Sequence, residues 1–187
     1  LTLTLGLTLA GGAGGESWRA HDIAGLMPDL EFTLTDSAGR TATAAEYAGK
    51  VKLLYFGYTH CADICPETVA VLASALQRLG SKAEGARVLF VSVDPKRDDA
   101  ATLKRFAAHF SPNVIGLTGT EDELQALGRR YRVAYSYGKP DAQGDYEVYH
   151  SSVVFAFDRQ GRVRLLFDRN EGASAIAADL GTLLSEP

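Results

Sequence analysis

Only two cysteines, one methionine and one tryptophan occur in the 187 residues. Two cysteines cannot build the disulfide framework of a small secreted scaffold, and a chain of this length can bury a core without one. Basic blocks are also missing: 19 Lys and Arg stand against 23 Asp and Glu, for a net charge of −4. That balance argues against nucleic acid or an anionic membrane as main partner, because phosphate binding requires clustered cations. The apolar opening, Leu1–Ala10, falls well short of the about 20 residues that cross a bilayer.

What the chain does have is its whole cysteine complement in one place. Cys61 and Cys65 stand four positions apart, after an apolar run and at the start of a helical pattern. Four residues is slightly more than one helical turn, which predicts a shared face with Cβ atoms roughly 5–6 Å apart. Such a pair can bind one soft metal ion or close as a disulfide, which needs Cα atoms about 4.4–6.8 Å apart. A helix start also predicts a lowered thiol pKa and easy thiolate formation.

The Leu/Thr alternation of Leu1–Ala10 runs into the glycine-rich Gly11–Gly15, with no initiator Met and no basic leader. It reads as the tail of an export signal or membrane anchor that begins upstream. Residues 1–26 are therefore expected to be anchor remnant and linker, and residues 27–187 one α/β domain.

Within that domain, strands are predicted at Leu30–Thr35, Val51–Phe56, Val88–Val93, near Val114–Leu117, and at Tyr146–Val148, Ser152–Phe157 and Arg162–Phe167. Helices are predicted over Pro66–Leu79, Ala100–Phe110, from Thr120 to about Arg130, and over Ala173–Leu184. Thr120 and Glu123 have capping-box spacing. Strands alternating with helices, then a closing hairpin and helix, specify a central mixed sheet with helices on both faces.

Cys61/Cys65 and Asp94-Pro95 each follow a buried parallel strand, so both emerge at the carboxyl edge of the sheet, where such folds gather their sites. His150 precedes a strand expected to run antiparallel, and the start of that strand lies at the same edge. Two thiolates and an imidazole suit Cu(I). Zinc is the rival, but a structural zinc site takes four protein ligands and there is no third cysteine. His60 is a weaker candidate as accessory ligand. Asp63 is expected to bind a helix-start amide, and His21 and His109 to lie on the surface.

Three stretches in order, Phe56–Pro66, Val91–Asp98 and Val148–Ser151, resemble the Sco/SenC family of copper proteins that assist cytochrome c oxidase assembly. The resemblance runs from Met27 to Leu184. It departs from the family pattern at Ala62, where Pro is usual, and at Asp99, where Thr is usual. The resemblance implies a thioredoxin-like fold with Cys61, Cys65 and His150 as copper ligands. It also implies a metallochaperone for the dinuclear copper (CuA) site of oxidase subunit II, with that subunit or another copper chaperone as partner. Such proteins are membrane-tethered and face the periplasm or the mitochondrial intermembrane space. The alternative is a thiol–disulfide oxidoreductase or thiol peroxidase, with Cys61 as nucleophile and Cys65 as resolver.

Overall fold

A computed structural model describes residues 17–187. Eight strands form one mixed sheet: β1 (His21–Asp22), β2 (Thr33–Asp36), β3 (Thr41–Thr43), β4 (Val51–Gly57), β5 (Ala86–Ser92), β6 (Val114–Thr118), β9 (Val154–Phe157) and β10 (Val163–Phe167). Two more, β7 (Tyr135–Tyr137) and β8 (Val148–His150), pair as a separate antiparallel ribbon. The helices are α1 (Ile64–Arg78), α2 (Ala100–Phe110), α3 (Glu121–Arg130) and α4 (Ala173–Leu183). The main sheet runs β1-β10-β9-β4-β5-β6-β2-β3. Its centre, β4-β5-β6, is parallel, and β9 lies antiparallel against β4.

Strand alternation sorts the helices onto two faces. Tyr55, Val154 and Phe167 lie in register on one face, where Phe90 packs on Phe106 of α2 and Leu72 of α1 and Ile176 of α4 meet. Phe155 and Phe157 point the other way and hold the ring of Tyr131, just after α3. The fold is the expected thioredoxin-like α/β sandwich. Strand β4 is buried along its whole length, Lys52 included. The Lys52 ammonium reaches the carbonyls of Asp158 (2.6 Å) and Arg159 (3.3 Å), and burial pulls its pKa down to about 8.

Several boundaries differ from the sequence expectation. Helix α1 begins at Ile64, so Pro66 is its third residue, inside the first turn where N–H groups have no helical partner. The strand expected at Tyr146–Val148 is Val148–His150, and the one expected at Ser152 begins at Val154. Three residues thus separate His150 from the antiparallel strand, and His150 closes the ribbon instead. The export-signal or anchor reading falls mainly on residues 1–16, outside the described residues. Further along, the Asp179 carboxylate accepts from the amides of Arg19 and Ala20, and β1 pairs with β10, so the folded body includes residues ahead of Met27. Among the described residues, no helix is long and apolar enough to cross a membrane.

Candidate metal centre

The end of β4 delivers the chain to the cysteines. Gly57 is required there: a Cβ would lie 2.8 Å from the Phe90 ring and 3.0 Å from Cys65 Sγ. The following loop carries Cys61, and Cys65 is the second residue of α1. Cys61 is therefore not on the helix. It meets Cys65 because the loop folds back over the helix start, where the Cys65 amide donates to Cys61 Sγ at 3.4 Å. The expected proximity holds, through a turn and not through helical spacing. Both cysteines are free, Cys65 fully buried and Cys61 partly exposed.

His150 arrives from β8. Its Nε2 lies 3.2 Å from Cys65 Sγ, and its Nδ1 lies 3.0 Å from the Ser151 carbonyl. A carbonyl only accepts, so Nδ1 carries the proton and Nε2 presents a lone pair to the sulfurs. This carbonyl is the outer partner that orients an imidazole for metal binding. The rings of Tyr55 and Tyr58 stand edge-on to the imidazole at centroid distances of 6.1 and 5.9 Å. The ligand atoms of Cys61, Cys65 and His150 all lie within 4.8 Å of one another. Cys61 and His150 line a cleft of about 410 Å³ that Asp63, Tyr149 and Arg169 also border, and Cys65 lies buried behind them.

Burial governs the protonation of Cys65 and His150. It pushes the Cys65 thiol up to about 12 and holds His150 below the usual imidazole range. The lowered thiol pKa expected from the helix start is not found at Cys65, because desolvation of the thiolate outweighs the helix dipole. In the metal-free protein Cys65 S–H therefore donates to neutral His150, and a metal ion bound through this sulfur would have to displace that proton.

A stability prediction follows from the sign of the shift. Above about pH 9 the unfolded chain surrenders the Cys65 proton while the folded protein keeps it up to about pH 12. Folding stability of the reduced protein should then fall across that window, at a limiting slope of about 1.4 kcal/mol per pH unit. Urea midpoints at about pH 8 and about pH 10.5 should drop further for wild type than for Cys65→Ser, which lacks the thiol. Equal drops would refute the assignment. For His150 the sign is opposite: its contribution is present above the ordinary imidazole pKa and is lost on acidification.

The other sequence candidates lie elsewhere. His60 is exposed, with Nδ1 3.4 Å from Asp98 Oδ1 and 3.3 Å from Thr59 Oγ1, and is not part of the three-ligand group. Asp63 is the α1 N-cap, but its carboxylate makes no capping hydrogen bond, contrary to expectation. His109 stands edge-on to Phe110. His21 is exposed as expected, 3.6 Å from Asp168, with Glu171 close by. Sequence reading missed Tyr55, Tyr58 and Thr59, whose roles depend on contacts with residues more than thirty positions away.

The SCO1/SenC family profile matches residues 26–185. The human mitochondrial SCO1 homologue is 35% identical over 153 residues, covering 81% of this chain and 51% of that protein. The mouse mitochondrial SCO2 homologue is 32% identical over 179 residues, covering 92% of this chain and 70% of that protein. The chain thus spans about half the length of the human relative. Among solved structures, Bradyrhizobium japonicum ScoI with copper bound superposes with a TM-score of 0.76 at 35% identity, covering 83% of this chain and 98% of that one. Apo Sco1 of Thermus thermophilus gives 0.78 at 30% identity, with 91% and 99% covered. The family match over nearly all described residues, the shared fold and the sequence identity together place this chain in the SCO1/SenC family.

Proposed function

We propose that this protein is a copper metallochaperone that holds the metal on Cys61, Cys65 and His150 and delivers it to the dinuclear copper site of cytochrome c oxidase subunit II. The observation that carries this reading is the convergence of two sulfurs and an unprotonated imidazole nitrogen within 4.8 Å, with Cys61 and His150 at the wall of an open cleft. Two soft thiolates and one imidazole make three donors, which fits Cu(I) and leaves a structural zinc site one protein ligand short. Relatives solved with copper bound support the same cargo. The open side, bordered by Cys61 and Tyr149, allows an incoming ligand to join the metal before the donor thiols leave. The same proposal puts the protein at work in the periplasm or another extracytoplasmic compartment, tethered to the membrane.

Anaerobic titration of the reduced protein with Cu(I) tests the reading. One copper per chain with thiolate-to-copper absorption is expected. Absence of tight binding would remove it.

A second reading rests on the unequal exposure of the two thiols. A partly exposed Cys61 beside a buried Cys65 is the arrangement of an attacking and a resolving cysteine. A thiol–disulfide reductase acting on the same partner's cysteines would use it. Peroxide or disulfide turnover by the copper-free protein distinguishes this activity.

A further inference from the structure

Asp98 is fully buried, 33 residues beyond Cys65, and touches none of the three candidate ligands. Its carboxylate nonetheless receives most of the hydrogen bonds that hold the loop before Cys61. Thr59 donates twice, its amide to Oδ2 at 2.8 Å and its hydroxyl to Oδ1 at 2.6 Å. Ser92, the last residue of β5, donates its hydroxyl to Oδ2 at 2.5 Å, and His60 Nδ1 lies 3.4 Å from Oδ1. One buried anion thus ties the cysteine loop to the central strand of the sheet. Such a group is costly to bury unless its acceptor sites are filled, and these donors fill them.

The same turn also holds the histidine side of the site. Asp94, likewise fully buried, accepts from Arg97 Nε at 2.5 Å and from the Tyr146 hydroxyl at 2.7 Å. The Arg97 guanidinium lies 3.7 Å above the Tyr146 ring and 5.7 Å from that of Tyr58, whose ring abuts His150. Tyr137, paired with Val148 in the ribbon that ends at His150, donates to the Val93 carbonyl at 2.6 Å.

We propose that Asp98 is a positioning residue: through Thr59 it fixes Cys61 against Cys65, and with the Asp94–Arg97 pair it makes the turn after β5 a common base for cysteine loop and histidine ribbon. The copper part of this proposal rests on the function proposed above. The spacing of the thiols does not. A loop held at Thr59 raises the effective concentration of Cys61 at Cys65, which favours both shared metal binding and disulfide closure. Releasing it should weaken both together.

The test measures two equilibria in Thr59→Val, Thr59→Ser and Asp98→Asn. The first is Cu(I) affinity by anaerobic competition. The second is the metal-free exchange in which Cys61 and Cys65 form a disulfide while one oxidised glutathione becomes two reduced glutathione molecules. Thr59→Val and Asp98→Asn should lower copper affinity about tenfold or more, the cost of losing an outer-shell partner. The glutathione constant should fall by a similar factor, and about 30 mV corresponds to tenfold for this two-electron couple. Thr59→Ser keeps the hydroxyl and should restore both. Thr59 lies at the margin of the network, so Thr59→Val decides the matter if Asp98→Asn does not fold. A wild-type glutathione constant in Thr59→Val overturns the positioning role. If wild type itself binds no copper, the proposed function fails while the glutathione measurement still judges the loop.

Discussion

Cys65→Ser is expected to lose Cu(I) affinity by more than about 100-fold. Outer-shell substitutions alone cost metal sites about 10–100-fold, and this one removes a proposed ligand. Serine offers a hard oxygen whose proton does not leave near neutrality, whereas Cu(I) selects soft sulfur. The substitution is suited to the question because its structural cost is small. A serine hydroxyl can still donate to His150 Nε2, replacing the contact that Cys65 Sγ makes at 3.2 Å. The fold should therefore survive with a stability change of about 1 kcal/mol, the net worth of one such hydrogen bond. Competition against a Cu(I) chelator, with thermal unfolding as control, reads both quantities. Affinity within tenfold of wild type in a folded Cys65→Ser protein would show that the metal is held elsewhere.

The second large effect is redox exclusion. Closing the Cys61–Cys65 disulfide takes two electrons and two protons from the thiols and leaves His150 as the one remaining member of the three proposed ligands. At free copper a hundredfold above Kd, binding should stabilise the reduced protein by about 2.7 kcal/mol. For a domain of this size that is a rise in Tm of roughly 5–10 °C. The oxidised protein should show no copper-dependent shift, and reduction should restore it. Calorimetry of both forms with and without Cu(I) makes the comparison, and an equal shift in the disulfide form would sink the three-ligand site. The same exclusion joins the two functional readings: a thiol pair consumed in reducing a partner cannot hold metal until it is reduced again.

How far the sequence reached differs from element to element. The parallel strands β4 and β5 were legible because an interior strand, buried on both faces, must be apolar along its length. Helix α3 was legible at its start because Thr120 and Glu123 satisfy each other's backbone amides, a local arrangement. The short strands β1, β3 and β7 were not, since each exists through a partner strand and has too few residues for a pattern. Residues of the site divide the same way. The cysteines declared themselves by type and spacing, while Asp98 looked like one of several acidic residues in a polar turn.

The protonation of Cys65 marks the boundary well. Position at a helix start is local and argues for an acidic thiol. Complete burial of Cys65 beneath Gly57 and beside Tyr55 is tertiary, and it reverses the direction.

Sequence by itself determined the chemistry available: two soft donors at a strand–helix junction, a single sheet edge for them to occupy, and one histidine whose topology leads to that edge. Tertiary structure decided the rest. It set which nitrogen of His150 faces the sulfurs, which thiol is exposed, and what holds the loop between them. Donor type is a property of a residue, whereas a pKa, a tautomer or a clamp depends on what surrounds it, and here those surroundings come from strands up to 85 positions away.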